Sequence, residues 1–251
     1  HYVLTSDIDC KNADIGPIGD DLHPFRGVFD GQSHVIRNAV FVVKGDYQGL
    51  FGKVDSSAEL KNFGIKNYKM SGDGAFTSAP VACDYSSSQP IENVFASGVI
   101  DITVKPPRLM NWTVTVGGFV AKLDGKAVNC YSESSVSVNV DTSSRGKPAY
   151  VGGFVGSLTG KVEHCYFNGN VSCTNATRNI QIYIGGFVGR VGTDTEAAVI
   201  RSSFFLGNVT ANGGTRRWCG LFVGINTNAA LNDIYYDNNA GLTASEMGTN
   251  Y

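Results

Sequence analysis

The chain has 251 residues, 42% of them hydrophobic, which is ample for a packed core and excludes global disorder. Charged residues make up 17% and the formal net charge is -2, so there is no electrostatic ground for nucleic acid or an anionic membrane as partner. The 31 glycines exceed ordinary usage and indicate a chain rich in turns and close backbone approaches.

Taken in chain order, residues 1–48 form an opening segment. It begins His1-Tyr2-Val3 with no initiator Met or signal peptide, and is expected to be a mature product or an excised piece whose targeting signal lies elsewhere. Within it, Tyr2–Asp9, Pro17-Ile18-Gly19, Phe25–Gly31 and His34-Val35-Ile36 are short β-prone runs. Acids cluster here as Asp7/Asp9, Asp20/Asp21 and Asp30. A paired carboxylate would suit general acid–base chemistry or a cation. The plainer reading is that they cap the first coil, with Asp30-Gly31 as a turn.

From residue 49 to 240 the chain repeats. Gly49-Leu50-Phe51-Gly52, Gly117-Gly118-Phe119-Val120, Gly152–Gly156, Gly185–Gly189 and Gly220–Gly224 are copies of one element, the last four at intervals of 33 to 35 residues, and Ala79-Pro80-Val81-Ala82 is a decayed copy. About ten residues after each comes a second element: Leu60–Phe63, Ile91–Phe95, Ala127–Tyr131, Val162–Tyr166, Ile200–Phe204 and Leu231–Tyr235. A third follows at Gly98–Ile100, Ser135–Val138, Gly169–Ser172 and Gly207–Thr210. No window has a sustained 3.6-residue apolar period. Three short strands per repeat, without Asn-Gly hairpin turns, predict an all-β parallel β-helix of about 6–7 coils as a single domain over 1–251, each coil about 4.8 Å above the last. The series Phe51, Phe119, Phe154, Phe187, Phe222 is then a column of inward rings. Asn62, Asn93 and Asn129, continued by His164, Ser202 and Asp233, fall where two strands meet, a bend that favours the left-handed conformation Asn tolerates. His164 is therefore a bend residue before it is a catalytic one.

The six cysteines, Cys10, Cys83, Cys130, Cys165, Cys173 and Cys219, contain no CxxC spacing, so no zinc site is expected. Cys130 and Cys165 occupy equivalent slots of adjacent coils, within disulfide reach or stacked as free thiols. Cys173 and Cys219 flank corresponding loops, and Cys10 with Cys83 follows by elimination. Asn111, Asn170, Asn175 and Asn208 begin Asn-x-Ser/Thr sequons, candidates for N-glycosylation if the protein is secreted by a eukaryote. Two loops carry the only tryptophans: Arg108 with Trp112, and Arg216-Arg217-Trp218. Cation beside aromatic is a recognition pair for glycan or protein, although simple loop decoration explains both as well. Nucleophile-elbow, P-loop and dinucleotide motifs are absent, and no cofactor or metal is expected.

The Gly-Leu-Phe-Gly and Gly-Gly-Phe-Val-Gly runs, followed by runs such as Val128-Asn129-Cys130-Tyr131, resemble the GLUG-motif repeats of large secreted and surface proteins. The opening segment is similar to that family's first coil, and Gly241–Met247 resembles the tail over 241–251 that closes such arrays. The resemblance implies a right-handed parallel β-helix in adhesin-like or protease-associated proteins, and brings no catalytic motif. The expected function is thus a non-catalytic extracellular or cell-surface scaffold whose loops contact glycan or protein, or whose ends stack into a filament. The alternative is a polysaccharide lyase or glycoside hydrolase on the same scaffold.

Overall fold

The structure is a computed structural model, and it describes residues 1–74, 76–105, 113–141, 148–175, 180–195, 197–213, 217–237 and, for the backbone, 242–244. Among these residues there is no helix; all regular structure is strand. Three parallel sheets share the chain: one of 15 strands and two of six. From Tyr47 onward each coil crosses all three. In the coil that starts at Ala149, Ala149–Gly152 joins the second sheet, Val155–Leu158 the third, and Lys161–Glu163, Tyr166–Asn168 and Val171–Asn175 the first. Six stacked strands in a sheet are linked by five full turns, so the solenoid has about five turns rather than the 6–7 coils expected. The shortfall lies at the start, where Tyr2–Val3 and Ile8–Asp9 contribute only two-residue strands.

Alternation along each strand explains the core. In Tyr131–Val140 the burial of side chains alternates, placing Ser132, Ser134, Val136, Val138 and Val140 inside. The two inward serines are satisfied: Ser132 Oγ donates to the Gly118 carbonyl at 2.8 Å and the Tyr68 hydroxyl donates to Ser134 Oγ at 2.7 Å, as buried hydroxyls require.

The Gly-Gly-Phe run is the corner between the second and third sheets. On a continuous strand Phe154 and Val155 would point to opposite faces, yet both are fully buried, because the corner falls between Gly152 and Val155. A Cβ on Gly152 would lie 2.0 Å from the Val155 carbonyl oxygen, and one on Gly153 would lie 2.1 Å from the Gly186 carbonyl oxygen of the next coil. Glycine is a steric requirement there. The inward Phe column forms as parallel stacks: Phe119–Phe154 at 4.5 Å, Phe154–Phe187 at 5.0 Å and Phe187–Phe222 at 4.8 Å. Phe51 is cut off from it, since Val81 of the decayed copy takes the intervening slot and Phe51 packs on Phe25 and Phe29 instead.

The second corner is the bend column. Asn62, Asn93, Asn129, His164, Ser202 and Asp233 all have φ between 46° and 56°, the left-handed region expected of them. Part of the column is a side-chain ladder: Asn93 Nδ2 donates to Asn62 Oδ1, and Asn62 Nδ2 to Asp30 Oδ1, each at 3.1 Å.

Candidate functional site

Two columns of aromatic rings stand on the outside of the solenoid, apart from the core. The first lies on the long sheet, where Phe95, Tyr131, Tyr166 and Phe204 are paired in register coil by coil. Their rings stack at 5.0, 4.8 and 4.8 Å and are within 5° of parallel. All are partly exposed, Phe204 by 37%, and Tyr235, in register beyond Phe204, by 65%. The second column lies on the second sheet. Tyr150 and Tyr183 stack at 5.5 Å, and Tyr183 and Trp218 at 4.7 Å. Arg190 closes over Tyr150, its guanidinium 5.3 Å from the ring centre and donating to the phenol oxygen at 3.5 Å.

Strand alternation builds this second column. Tyr150, Tyr183 and Trp218 are the outward residues of Ala149–Gly152, Ile182–Gly185 and Arg217–Gly220, whose other members are buried. Burial raises the phenols of Tyr183 and Tyr166, the latter to about 12 with Glu133 adding to the effect. At neutral pH they are therefore protonated and able to donate.

A charged column runs beside these on the third sheet, where Lys53, Asp84 and Lys122 follow one another in register. Burial raises the Asp84 carboxyl, while Lys122 and Lys53 oppose that shift. Lys53 also donates to Asp21 at 3.1 Å, and Asp21 accepts from the Tyr47 hydroxyl at 3.1 Å. Asp7 and Asp9 tie the start of the opening segment to residues 34–38, stacked one coil further on. Asp7 accepts from Val35 N at 3.0 Å, from Arg37 and from His34, and Asp9 accepts from Asn38 Nδ2 and Lys11 N, each at 2.9 Å. Asp20 caps a local turn through Leu22 N and His23 N, and Asp30 one through Gln32 N. Among the described residues no three His, Cys, Asp or Glu side chains converge as metal ligands would.

Residues 148–172, the coil that contributes Tyr150 and Tyr166 to the two ladders, match the family model of the GLUG motif. The chain carries a GLUG motif. In fold, it is similar to the crystal structure of a Bacteroides ovatus protein named provisionally as an immunoglobulin A1 protease, with a TM-score of 0.72 and 22% identity, over 98% of this chain and 70% of that one. No curated protein matches the chain in sequence.

Within this solenoid the predicted contact residues separate. Trp218 ends the second ladder, but Arg217 corrects the expectation of a contact loop: it is 8% exposed and its Nη1 donates inward to the Ala211 carbonyl at 3.2 Å. As the residue before outward Trp218 on one strand, it must point in. Arg108, Trp112, Arg216 and the sequon residue Asn111 lie outside the described residues. Asn170 and Asn208 are exposed and stacked, with the backbone and side-chain nitrogens of Asn208 donating to Asn170 Oδ1 at 3.0 and 3.2 Å. Asn175 corrects the third sequon. It is 3% exposed, an inward residue of Val171–Asn175, and its carboxamide is closed to a glycan.

All six cysteines stand as free thiols in the structure, which for Cys130 and Cys165 is the stacked-thiol alternative. Cys130 and Cys165 are stacked as equivalent residues: their thiols donate to the Val128 and Glu163 carbonyls at 3.1 and 3.2 Å, and Cys165 Sγ accepts from Cys130 N at 3.4 Å. Cys173 lies on the first sheet and Cys219 on the second. Burial pushes their thiols up to about 12 and about 11, and Cys83 up to about 12, the behaviour of inert core cysteines.

Sequence reasoning missed Tyr150 and Tyr183. The signal was present: each, like Trp218, stands four residues before the Phe of its Gly-aromatic run.

Proposed function

We propose that this chain is a non-catalytic extracellular scaffold, a right-handed GLUG β-helix that presents its exterior to glycan or protein at a cell surface. The observation that carries the reading is the pair of exterior aromatic ladders. Their rings add nothing to the enclosed core, yet they keep amphipathic tyrosine and tryptophan edges in water along successive coils. Tyr and Trp are the side chains that recognition surfaces favour, each joining a large apolar area to a polar handle. Stacking against one another also fixes their rotamers, so little side-chain entropy is lost when a ligand docks.

The test is capture of a panel of cell-surface polysaccharides and matrix proteins by the intact chain and by Trp218→Ala and Tyr183→Ala. Loss of capture by more than about tenfold, with the folded baseline unchanged, is expected for removal of one anchoring ring. Equal capture by wild type and both variants would refute the ladder as the contact surface.

One observation favours the second reading, an enzyme acting on polysaccharide: Asp84, held half-buried between Lys53 and Lys122, is a carboxyl with a raised pKa beside cations. Turnover on acidic glycans that vanishes in Asp84→Asn would establish it over the scaffold reading. The protease name of the Bacteroides ovatus protein belongs to that protein; the likeness supports the coil architecture alone.

A further inference from the structure

The connections between the third sheet and the first differ in length from coil to coil. Residues 86–89 make a longer one and six residues separate Val191 from Ala198, whereas residues 124–125 and 159–160 are two-residue turns. Two short turns between two longer ones leave a notch in the edge of the solenoid. It is a cavity of about 400 Å³ whose floor holds Asp124, Lys126, Thr159 and Lys161, with Ser88 on one wall and Ala197 on the other. That volume falls within the range of small-molecule sites, about 300–1,000 Å³.

The chemistry of the floor is mixed at close quarters. Lys126 and Lys161 are in register on adjacent coils, about 4.8 Å apart along the solenoid. Lys126 is neutralised by Glu163, Nζ to Oε2 2.7 Å. Lys161 has no ion-pair partner among the described residues and is exposed. Asp124 accepts from the Thr159 hydroxyl and is also exposed.

An ammonium donates only and a carboxylate accepts only, so a ligand filling this floor must carry an anion for Lys161 and hydroxyl donors for Asp124. We propose that the notch is a binding subsite for one carboxylate-bearing sugar unit of uronic-acid type. Resting on the glycan-contact reading above, this names the ligand class and places it apart from the ladders. An acidic peptide fits less well: its further carboxylates would meet Asp124, and it offers few hydroxyl groups to that acceptor.

The experiment is calorimetric titration of the intact chain with sodium glucuronate, glucose and a short oligoglutamate, repeated on Lys161→Gln, Asp124→Asn and Lys66→Gln. Glucuronate is expected to bind and glucose not. Lys161→Gln should lose about tenfold in affinity, the worth of one charge-assisted hydrogen bond, and Asp124→Asn should weaken glucuronate too. Lys66→Gln, an exposed lysine outside the notch, should leave the titration unchanged, and Lys161→Gln should keep its capture of neutral polysaccharides, which separates failure of the subsite from failure of the ladder reading. Glucuronate binding no better than glucose, oligoglutamate binding as well as glucuronate, or an unaffected Lys161→Gln would each overturn the proposal. Both substituted side chains are exposed, and an unchanged circular dichroism spectrum and melting temperature would confirm that the variants fold.

Discussion

Phe154→Ala tests whether the inward ring column holds the coils together. Phe154 is fully buried and has a ring on each face, Phe119 at 4.5 Å and Phe187 at 5.0 Å. Truncation removes the buried ring, both stacks and the filling of the corner, and the glycine turns beside it have no side chains with which to close the hole. The expected loss is about 3–5 kcal/mol, towards the upper end because the site cannot collapse. Tyr166→Ala is the internal standard. It also loses two parallel stacks, at 4.8 Å each, but from a partly exposed ring outside the core, so about 1–2 kcal/mol is expected. Urea unfolding followed by far-ultraviolet circular dichroism measures both. In a solenoid the damage should also be local, with hydrogen exchange rising first in the coils of Phe119, Phe154 and Phe187. If Phe154→Ala costs no more than Tyr166→Ala, the column is not what binds coil to coil, and the corner geometry must be doing so through the backbone alone.

Gly153→Ala should destabilise by about 2–3 kcal/mol, because its Cβ would meet the Gly186 carbonyl oxygen at 2.1 Å and the Phe167 ring at 2.3 Å, whereas Gly45→Ala, with nothing within 4 Å, should be nearly neutral; equal melting temperatures for the two would contradict the steric account. The opening coil should loosen in acid. Backbone and side-chain hydrogen bonds hold Asp7, Asp9, Asp14 and Asp30 below the ordinary carboxylate range. Groups with depressed folded pKa values contribute stability that is fully present above their unfolded values, about 4, and lost as the pH falls through the folded ones. Limited proteolysis within residues 2–37 at pH 7, 4 and 3 checks this, and a cleavage rate flat across that range would count against it.

How much of this was legible in the sequence depends on whether a feature repeats. The Gly-Gly-Phe corner was legible because its steric demand recurs in three successive coils, leaving the same two glycines at Gly117-Gly118, Gly152-Gly153 and Gly185-Gly186. The bend column was legible for the same reason, since Asn at 62, 93 and 129 reports a left-handed backbone that few residues tolerate. What periodicity could not settle was the direction of side chains next to a corner. Phe154 and Val155 both point inward only because the strand breaks before Val155, and no two-residue alternation encodes that break. Arg217 is the opposite case: its sequence reads as loop, and strand alternation turns it inward.

The candidate site lay further out of reach because it arises from departures from the repeat. Repeated residues must satisfy the coil, so each position they occupy is already accounted for by packing, a corner or a ladder. A ligand site in a solenoid is best sought where consecutive coils differ at the same station. Two of those differences meet here. The turns at 124–125 and 159–160 are shorter than their neighbours and open a notch. Lys161 stands in register with a lysine already paired to Glu163 and is itself left without an ion-pair partner among the described residues. The fold needs neither feature, since coils with four- and six-residue turns stack equally well in the same sheets. Lengthening the 159–160 turn to six residues should therefore fill the notch and abolish glucuronate binding while leaving the coil intact, which separates the site from the scaffold in a single variant.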